Sequence, residues 1–290
     1  MADTKVSALD AATAVTADDT LYVIDGSTSK KATAAVLRDF TGMKWEAATV
    51  TTGNVTATVN TMHGLDIDGM TAARDFVLPT AASTGDRVGV FVTTDAPTTV
   101  ANVLQIKSGA AGDLINGTDH SSTIWSSLLI KGECLIFRCI DGSTVDWIVE
   151  YDGRIPMHGS AADTQTVTSN GSYVTVDFSA LTVKANVGNI IDSTNDRIYA
   201  RRAANFLLVT FLAYSASGAG KSAICQWRTS APAGISGTAM GSQSVQAGTF
   251  SVSSGVVQNI ASGDYVDTQI WQNDSTSEVC TVSVYALEVL

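Results

Sequence analysis

Three features of the sequence predict an all-β fold. Ser and Thr together make up roughly a fifth of the chain, alongside abundant Val and Gly, a composition that suits strands and tight turns. Only 16% of residues are charged while 45% are hydrophobic, so the chain has the apolar content to build a core. The apolar residues come in short runs, such as Leu21–Ile24 and Phe206–Leu212, separated by turn-forming pairs such as Asp25-Gly26, Asn116-Gly117 and Asp141-Gly142. A chain of 290 residues has room for about two domains.

Taken in order, residues 1–42 hold the apolar run Leu21-Tyr-Val-Ile24 and a segment, Ser29 to Phe40, whose Val36, Leu37 and Phe40 share one helical face. One small helix is expected there, capped by Thr33 and closed by Gly42. The segment is too small for a core of its own, so it is expected to pack against a partner. Residues 43–152 contain the runs Phe76–Pro79, Arg87–Val92, Val103–Ile106, Leu128–Ile130, Leu135–Ile140 and Trp147–Val149. They read as a small antiparallel β-sandwich or barrel, with Trp147 in its core. Residues 153–161, with Gly, Pro and polar side chains, read as a linker. Residues 162–290 carry further strands, including Tyr173–Phe178, Phe206–Leu212, Ala223–Trp227, Gly255–Ile260, Tyr265–Trp271 and Val279–Tyr285. No internal repeat of fixed period is visible along the chain.

Charge excludes one large class of function. Lys and Arg number 17 against 28 Asp and Glu, a formal net charge of −11. Such a chain repels polyanions, and its paired basic residues, Lys30-Lys31 and Arg201-Arg202, are too few to line a nucleic-acid groove. The apolar stretch Phe206 to Tyr214 is far short of the ~20 residues of a spanning helix, so no membrane insertion is expected. The N-terminus has no apolar core of signal-peptide length, which predicts synthesis in a cytoplasm.

The motifs that carry chemistry are incomplete. Ser217-Gly-Ala-Gly-Lys-Ser222 has Ser215 where a phosphate-binding loop needs glycine, and a strand-like run follows it; it reads as a hairpin turn. Asp66-Ile-Asp-Gly69 resembles part of a calcium loop, but Met70 and Val77 occupy ligand positions, so it reads as a turn. His63, His120 and His158 stand apart from the cysteines, and Cys134, Cys139, Cys225 and Cys280 show no metal-ligand spacing. No catalytic residue, cofactor site or metal site is assigned, and no enzymatic activity is expected. Trp125 and Trp271, near Ser- and Asn-rich stretches, together with Asn273, are candidate ligand-loop residues, because an exposed indole beside amides and carboxylates can stack on a sugar ring.

Resemblance adds what these motifs lack. Lys5-Val-Ser-Ala-Leu9, Asp19–Gly26 and Ser29-Lys-Lys-Ala-Thr33 resemble an N-terminal module common in structural proteins of tailed bacteriophages. That resemblance implies virion docking through residues 1–42, with Lys5, Leu9, Leu21, Val23, Lys30, Lys31, Leu37 and Phe40 as the candidate contacts. The middle segment, through Phe76–Pro79, Gly85–Val88, Leu114–Gly117 and Asp146-Trp147, is similar to a small β-module of phage fibres. Residues 162–290 resemble the jelly roll of the tumour-necrosis-factor and complement globular-head family. The matching residues are Tyr173–Phe178, Ile198-Tyr-Ala200, Ile260–Val266 and Val284–Leu290, whereas Asn205 and Phe206 depart from the family pattern.

The resemblance implies a homotrimer whose apolar sheet faces meet on a threefold axis. It also implies a short appendage on the virion surface, a capsid head fibre or decoration protein that adheres to the host or its glycans. A tail fibre that binds a receptor is the alternative, and a non-viral lectin-like adhesin is the second. Residues 162–290 are expected to form the trimer on their own.

Overall fold

The computed structural model describes residues 20–25, 28–33, 43–99, 101–167, 173–215, 222–230, 239–246, 249–273 and 277–289; for 20–33, 214–215, 222, 230, 239–246 and 249–252 it describes the backbone alone. All regular structure among them is β. Strands β1 (Thr20–Asp25) and β2 (Thr28–Thr33) pair antiparallel as a hairpin, with Asp25 opposite Thr28. This corrects the expected helix over its first residues: Ser29 to Thr33 are strand. With Asp25 opposite Thr28 the chain returns along β1 at once, and pairing with a neighbour outweighs the weak helical periodicity. The remainder of the expected helix, with Leu37 and Phe40, lies outside the described residues, as do Lys5 and Leu9.

The middle region departs further from expectation. Strands β3 (Lys44–Thr49), β4 (Val55–Thr56), β5 (Thr61–Asp66), β6 (Arg74–Val77), β7 (Arg87–Val92) and β8 (Leu104–Lys107) alternate between two sheets. Within each sheet the neighbours run parallel: β3 with β5 and β5 with β7 in one, β4 with β6 and β6 with β8 in the other. A parallel neighbour requires a crossover, and here each crossover is a strand of the opposite sheet, so the chain winds as a short β-solenoid. The expected antiparallel sandwich is therefore corrected to a solenoid with an antiparallel end. Strands β9 (Leu114–Ile115), β10 (Thr118–Asp119), β11 (Ser126–Leu128), β12 (Cys134–Asp141) and β13 (Asp146–Gly153) make up that end. Among them, β11 returns antiparallel beside β8, β12 beside β7, and β13 beside β12. Asn116 and Gly117 join β9 to β10 in two residues, both at positive φ (51° and 77°), the geometry an Asn-Gly hairpin turn supplies.

The two sheets close face to face. Val88, Val90 and Val92 of β7, Leu135 and Phe137 of β12 and Trp147 of β13 are fully buried with Phe76, Leu104, Ile106 and Leu128 of the opposite sheet. His63 of β5 meets the Phe76 ring edge-on at 5.4 Å.

Residues 154–157 then connect to the second region. Strand β14 (His158–Val167) begins inside the stretch read as a linker, and Met157 is fully buried, so this connection is a packed segment and not a tether. The remaining strands are β15 (Val174–Thr175), β16 (Thr182–Val187), β17 (Ile191–Asp192), β18 (Arg197–Tyr199), β19 (Ala204–Ser215), β20 (Ser222–Ser230), β21 (Ala239–Gln246), β22 (Thr249–Ile260), β23 (Tyr265–Gln272) and β24 (Glu278–Val289). Every pairing among them is antiparallel. The front sheet runs β16-β14-β24-β19-β22 and the back sheet β17-β18-β23-β20-β21. Numbering the principal strands β14 and β18 to β24 from 1 to 8 gives the orders 1-8-3-6 and 2-7-4-5. That order is a jelly roll. Its core takes Phe206, Leu208, Leu212, Val282 and Val284 from the front and Cys225, Trp227, Val266 and Ile270 from the back. The Thr210 and Thr268 hydroxyls bond across it at 2.9 Å.

All four cysteines are free. Cys139, Cys225 and Cys280 are buried, and burial pushes the thiols of Cys225 and Cys280 up to about 12. Cys134 and Cys139, five apart on β12, point to opposite sides of the sheet.

Candidate functional site

The front sheet places large apolar side chains where water should be. Strand β24 alternates strictly: Cys280, Val282, Val284, Ala286 and Glu288 face in, and Tyr285, Leu287 and Val289 face out. Thr281 and Ser283 also face out, but from Tyr285 to Val289 every outward residue is large and apolar, the pattern of a strand covered on both sides. Register extends the patch sideways. Leu287 lies opposite Leu207 of β19, and Leu207 opposite Val257 of β22. Phe211 meets Tyr285 edge to face at 6.0 Å. Val257 is 62% exposed, and Leu207, Phe211, Tyr285, Leu287 and Val289 lie between 38% and 47%. A shallow depression of about 390 Å³ runs between His158, Ser160, Leu207, Val209, Tyr285 and Leu287. One end of the patch is polar, where the Asn259 amide donates to Asn205 Oδ1 at 3.2 Å. Both family departures find a place here: Phe206 is fully buried in the core and Asn205 belongs to the polar rim. A contiguous apolar surface with a polar rim has the anatomy of a protein interface.

The opposite inversion, charge placed inside, occurs where the jelly roll meets the solenoid. Arg202 is fully buried and binds two buried carboxylates. Its Nε and Nη2 donate to Glu288 Oε1 and Oε2, each at 2.7 Å, and its Nη1 donates to Glu133 Oε1. The same guanidinium donates to the carbonyls of Ser127 (3.3 Å) and Ile155 (2.6 Å). Each carboxylate is completed by backbone: Glu133 accepts from the N–H groups of Leu129, Ile130 and Ile155, and Glu288 from that of Met157. Burial alone would pull the Arg202 guanidinium down, but the two carboxylates outweigh it and hold it above its ordinary value. Arg201, equally buried, donates to the Pro97, Thr99 and Asn102 carbonyls of the solenoid region and to the Gly188 carbonyl of the jelly roll. Burial brings it down to about 10.

Sequence reasoning set Arg201-Arg202 aside as too few charges for a groove, and so missed the pins that join the two regions. The missed signal at the front sheet was the end of β24, where the outward residues Tyr285, Leu287 and Val289 are apolar. The structure separates the two tryptophans proposed for one ligand-binding role. Trp125 sits in the solenoid region, edge-on to Phe137 at 5.7 Å with the Arg154 guanidinium 5.3 Å from its ring. Trp271 is on β23 in the back sheet and not in a loop, and Asn273 follows it at an exposed position. Leu21 and Val23 lie on β1, and Lys30 and Lys31 on β2. Among the described residues no group of three His, Cys, Asp or Glu side chains is placed to hold a metal, and no helix is long and apolar enough to cross a membrane.

No protein-family model matches the chain, and no curated protein matches it significantly. Among solved structures it is similar to the Eiger TNF of S. frugiperda, at 8% identity and a TM-score of 0.37 over 47% of this chain and 94% of that one. It is also similar to the globular domain of zebrafish complement 1qA, at 13% identity and 0.34 over 45% and 94%. The vertex protein of PRD1 aligns at 12% identity and 0.36 over 53% and 82%. The jelly-roll assignment rests on the strand order described above.

Proposed function

We propose that the chain is a structural protein of a bacteriophage virion: a short homotrimeric surface appendage of the head-fibre or decoration type. The observation that carries this reading is the apolar outer face of the front sheet, built on the three long strands β19, β22 and β24. A monomer gains nothing from holding Phe211, Tyr285 and Leu287 in water. Three copies arranged around an axis bury this face in a closed ring and leave the back sheets outward. Residues 1–42 then anchor the trimer to other capsid or tail proteins, the solenoid acts as the base, and the jelly roll is displayed for adhesion to the host surface. The protein is made in the host cytoplasm and works on the assembled particle, with no enzymatic step, cofactor or metal.

The test is cryo-electron microscopy of purified particles labelled with an antibody raised against the whole chain. Label spread over the head supports this reading. Label confined to the tail tip makes the protein a receptor-binding tail fibre. Particles that carry neither label nor the protein overturn virion membership, leaving a free adhesin.

A further inference from the structure

A histidine stands on the apolar outer face of the front sheet. On β14, Gly159 and Ala161 are buried towards the core, so His158 and Ser160 point the other way. Pairing sets His158 opposite Leu287 of β24 on one side and Val187 of β16 on the other, and Ser160 opposite Tyr285. The half-buried His158 lines the same depression of about 390 Å³ as Leu207, Tyr285 and Leu287. Whatever surface covers those three side chains therefore covers His158 as well.

The charged groups around it are few. Among the described residues, the outward positions of β14, β24, β19 and β22 hold no Asp, Glu, Lys or Arg. Tyr285 is the other titratable group on them, and a phenol stays neutral in the range where a histidine titrates. On β16, Lys184 falls in the irregularity opposite Ser160 and Ala161 and acts on Asp163, which also accepts the Thr182 hydroxyl. Glu288, next to Leu287, faces the core and is held by Arg202. Arg154, on the connection before β14, is taken by Asp152. No carboxylate among the described residues is paired with the His158 ring to receive a charge that arrives there.

We infer that His158 makes the assembly of three copies sensitive to pH: protonation of its ring loosens the front-sheet interface. This rests on the reading of that face as the trimer interface. Imidazole takes up a proton between about pH 8 and pH 5. On a separate protomer the imidazolium is partly in water. In the trimer it is covered by apolar surface, where an unpaired charge is costly. Separate protomers therefore hold the proton more tightly than the trimer does, and by linkage acid drives the trimer apart. The background runs the other way. The net charge of −11 shrinks as pH falls, which weakens repulsion between copies and favours assembly. Loss of trimer in acid thus has a sign that general charge effects do not produce.

The test is sedimentation equilibrium of the full chain over a concentration series at pH 7.5 and pH 5.5, beside His158→Gln. The wild-type trimer–monomer midpoint is expected to rise about tenfold or more at pH 5.5, while that of His158→Gln, which keeps His63 and His120, changes less than about threefold. Circular dichroism at both pH values checks the fold, and His158→Thr takes the place of His158→Gln if that variant does not fold. A wild-type midpoint that stays level or falls in acid, or a rise that His158→Gln preserves, overturns the proposal and leaves the trimer standing. A wild type that is monomeric at pH 7.5 overturns the front-sheet trimer itself, and this inference with it.

Discussion

Two regions of this molecule invert the usual placement of residues, in opposite directions. At the junction, Arg202, Glu133 and Glu288 are charges inside the protein. On the front sheet, Leu207, Phe211, Tyr285 and Leu287 are hydrophobes outside it. The junction is complete within one chain: both carboxylates are met by the guanidinium and by backbone N–H groups. Among the described residues the front face has no such completion. Buried charge costs little once every partner is present, whereas exposed apolar area is only relieved by another surface. The first region therefore joins two parts of one chain, and the second is the surface that we propose further protomers cover.

Breaking the junction is expected to have the largest effects. Residues 162–290 expressed alone lack Glu133 and the Ser127, Ile155, Pro97, Thr99 and Asn102 carbonyls, which leaves two buried arginines without much of their coordination. The expectation from sequence that this fragment stands alone therefore gives way to the expectation that it is insoluble or unfolded, while residues 43–290 fold. Circular dichroism of the two fragments separates these outcomes. In the full chain, Arg202→Met leaves Glu133 and Glu288 uncompensated and is expected to cost about 3–5 kcal/mol in chemical denaturation. Loss of less than about 1 kcal/mol would mean that the triad is not what joins the regions.

Smaller effects sharpen the same comparison. Gly188 has φ +80°, and a Cβ there would lie 2.8 Å from Met157 Cγ and 3.0 Å from Leu129 Cδ1. Gly188→Ala is expected to cost about 1–3 kcal/mol through backbone strain and crowding at the junction. Smallest is a pH effect in the solenoid. His63 accepts the Thr58 N–H at 3.1 Å, and burial lowers its pKa despite the nearby Glu46. Its contribution is full above the ordinary histidine value of 6.5 and declines as pH falls below it, because the unfolded chain then takes up the proton more readily. The melting temperature of the wild type should therefore fall between pH 7.5 and pH 5.5, and His63→Gln should flatten that fall.

What the sequence made legible follows from the range of the interactions involved. The Asn116-Gly117 turn, the burial of Trp147 and the strands of the second region are local patterns and were readable. The solenoid was not, because its coils are unequal. Lys44 pairs with Thr61 and Thr61 with Val88, so successive turns take 17 and 27 residues and no period appears. Parallel pairing between such segments leaves no local trace, whereas tight turns between alternating runs favour an antiparallel reading. Arg201-Arg202 was unreadable for the same reason, since the carboxylates that pair with Arg202, Glu133 and Glu288, lie 69 and 86 residues away. Trp271 ends the run Tyr265–Trp271 that reads as a strand, and its pairing with Ile224 keeps it in the sheet and out of the loop that the following Gln, Asn and Asp suggest. The outward face of β24 was legible in principle, as alternation that stays apolar from Tyr285 onward.

The central claim is that the front sheet is an interface between copies of this chain. Sedimentation equilibrium of the full chain at micromolar concentration, beside Leu207→Lys and Tyr285→Lys, tests it most directly. The wild type is predicted to sediment at three times 30.1 kDa and each lysine variant as a folded monomer with unchanged circular dichroism. A wild-type monomer, or a trimer that survives both lysines, would contradict it.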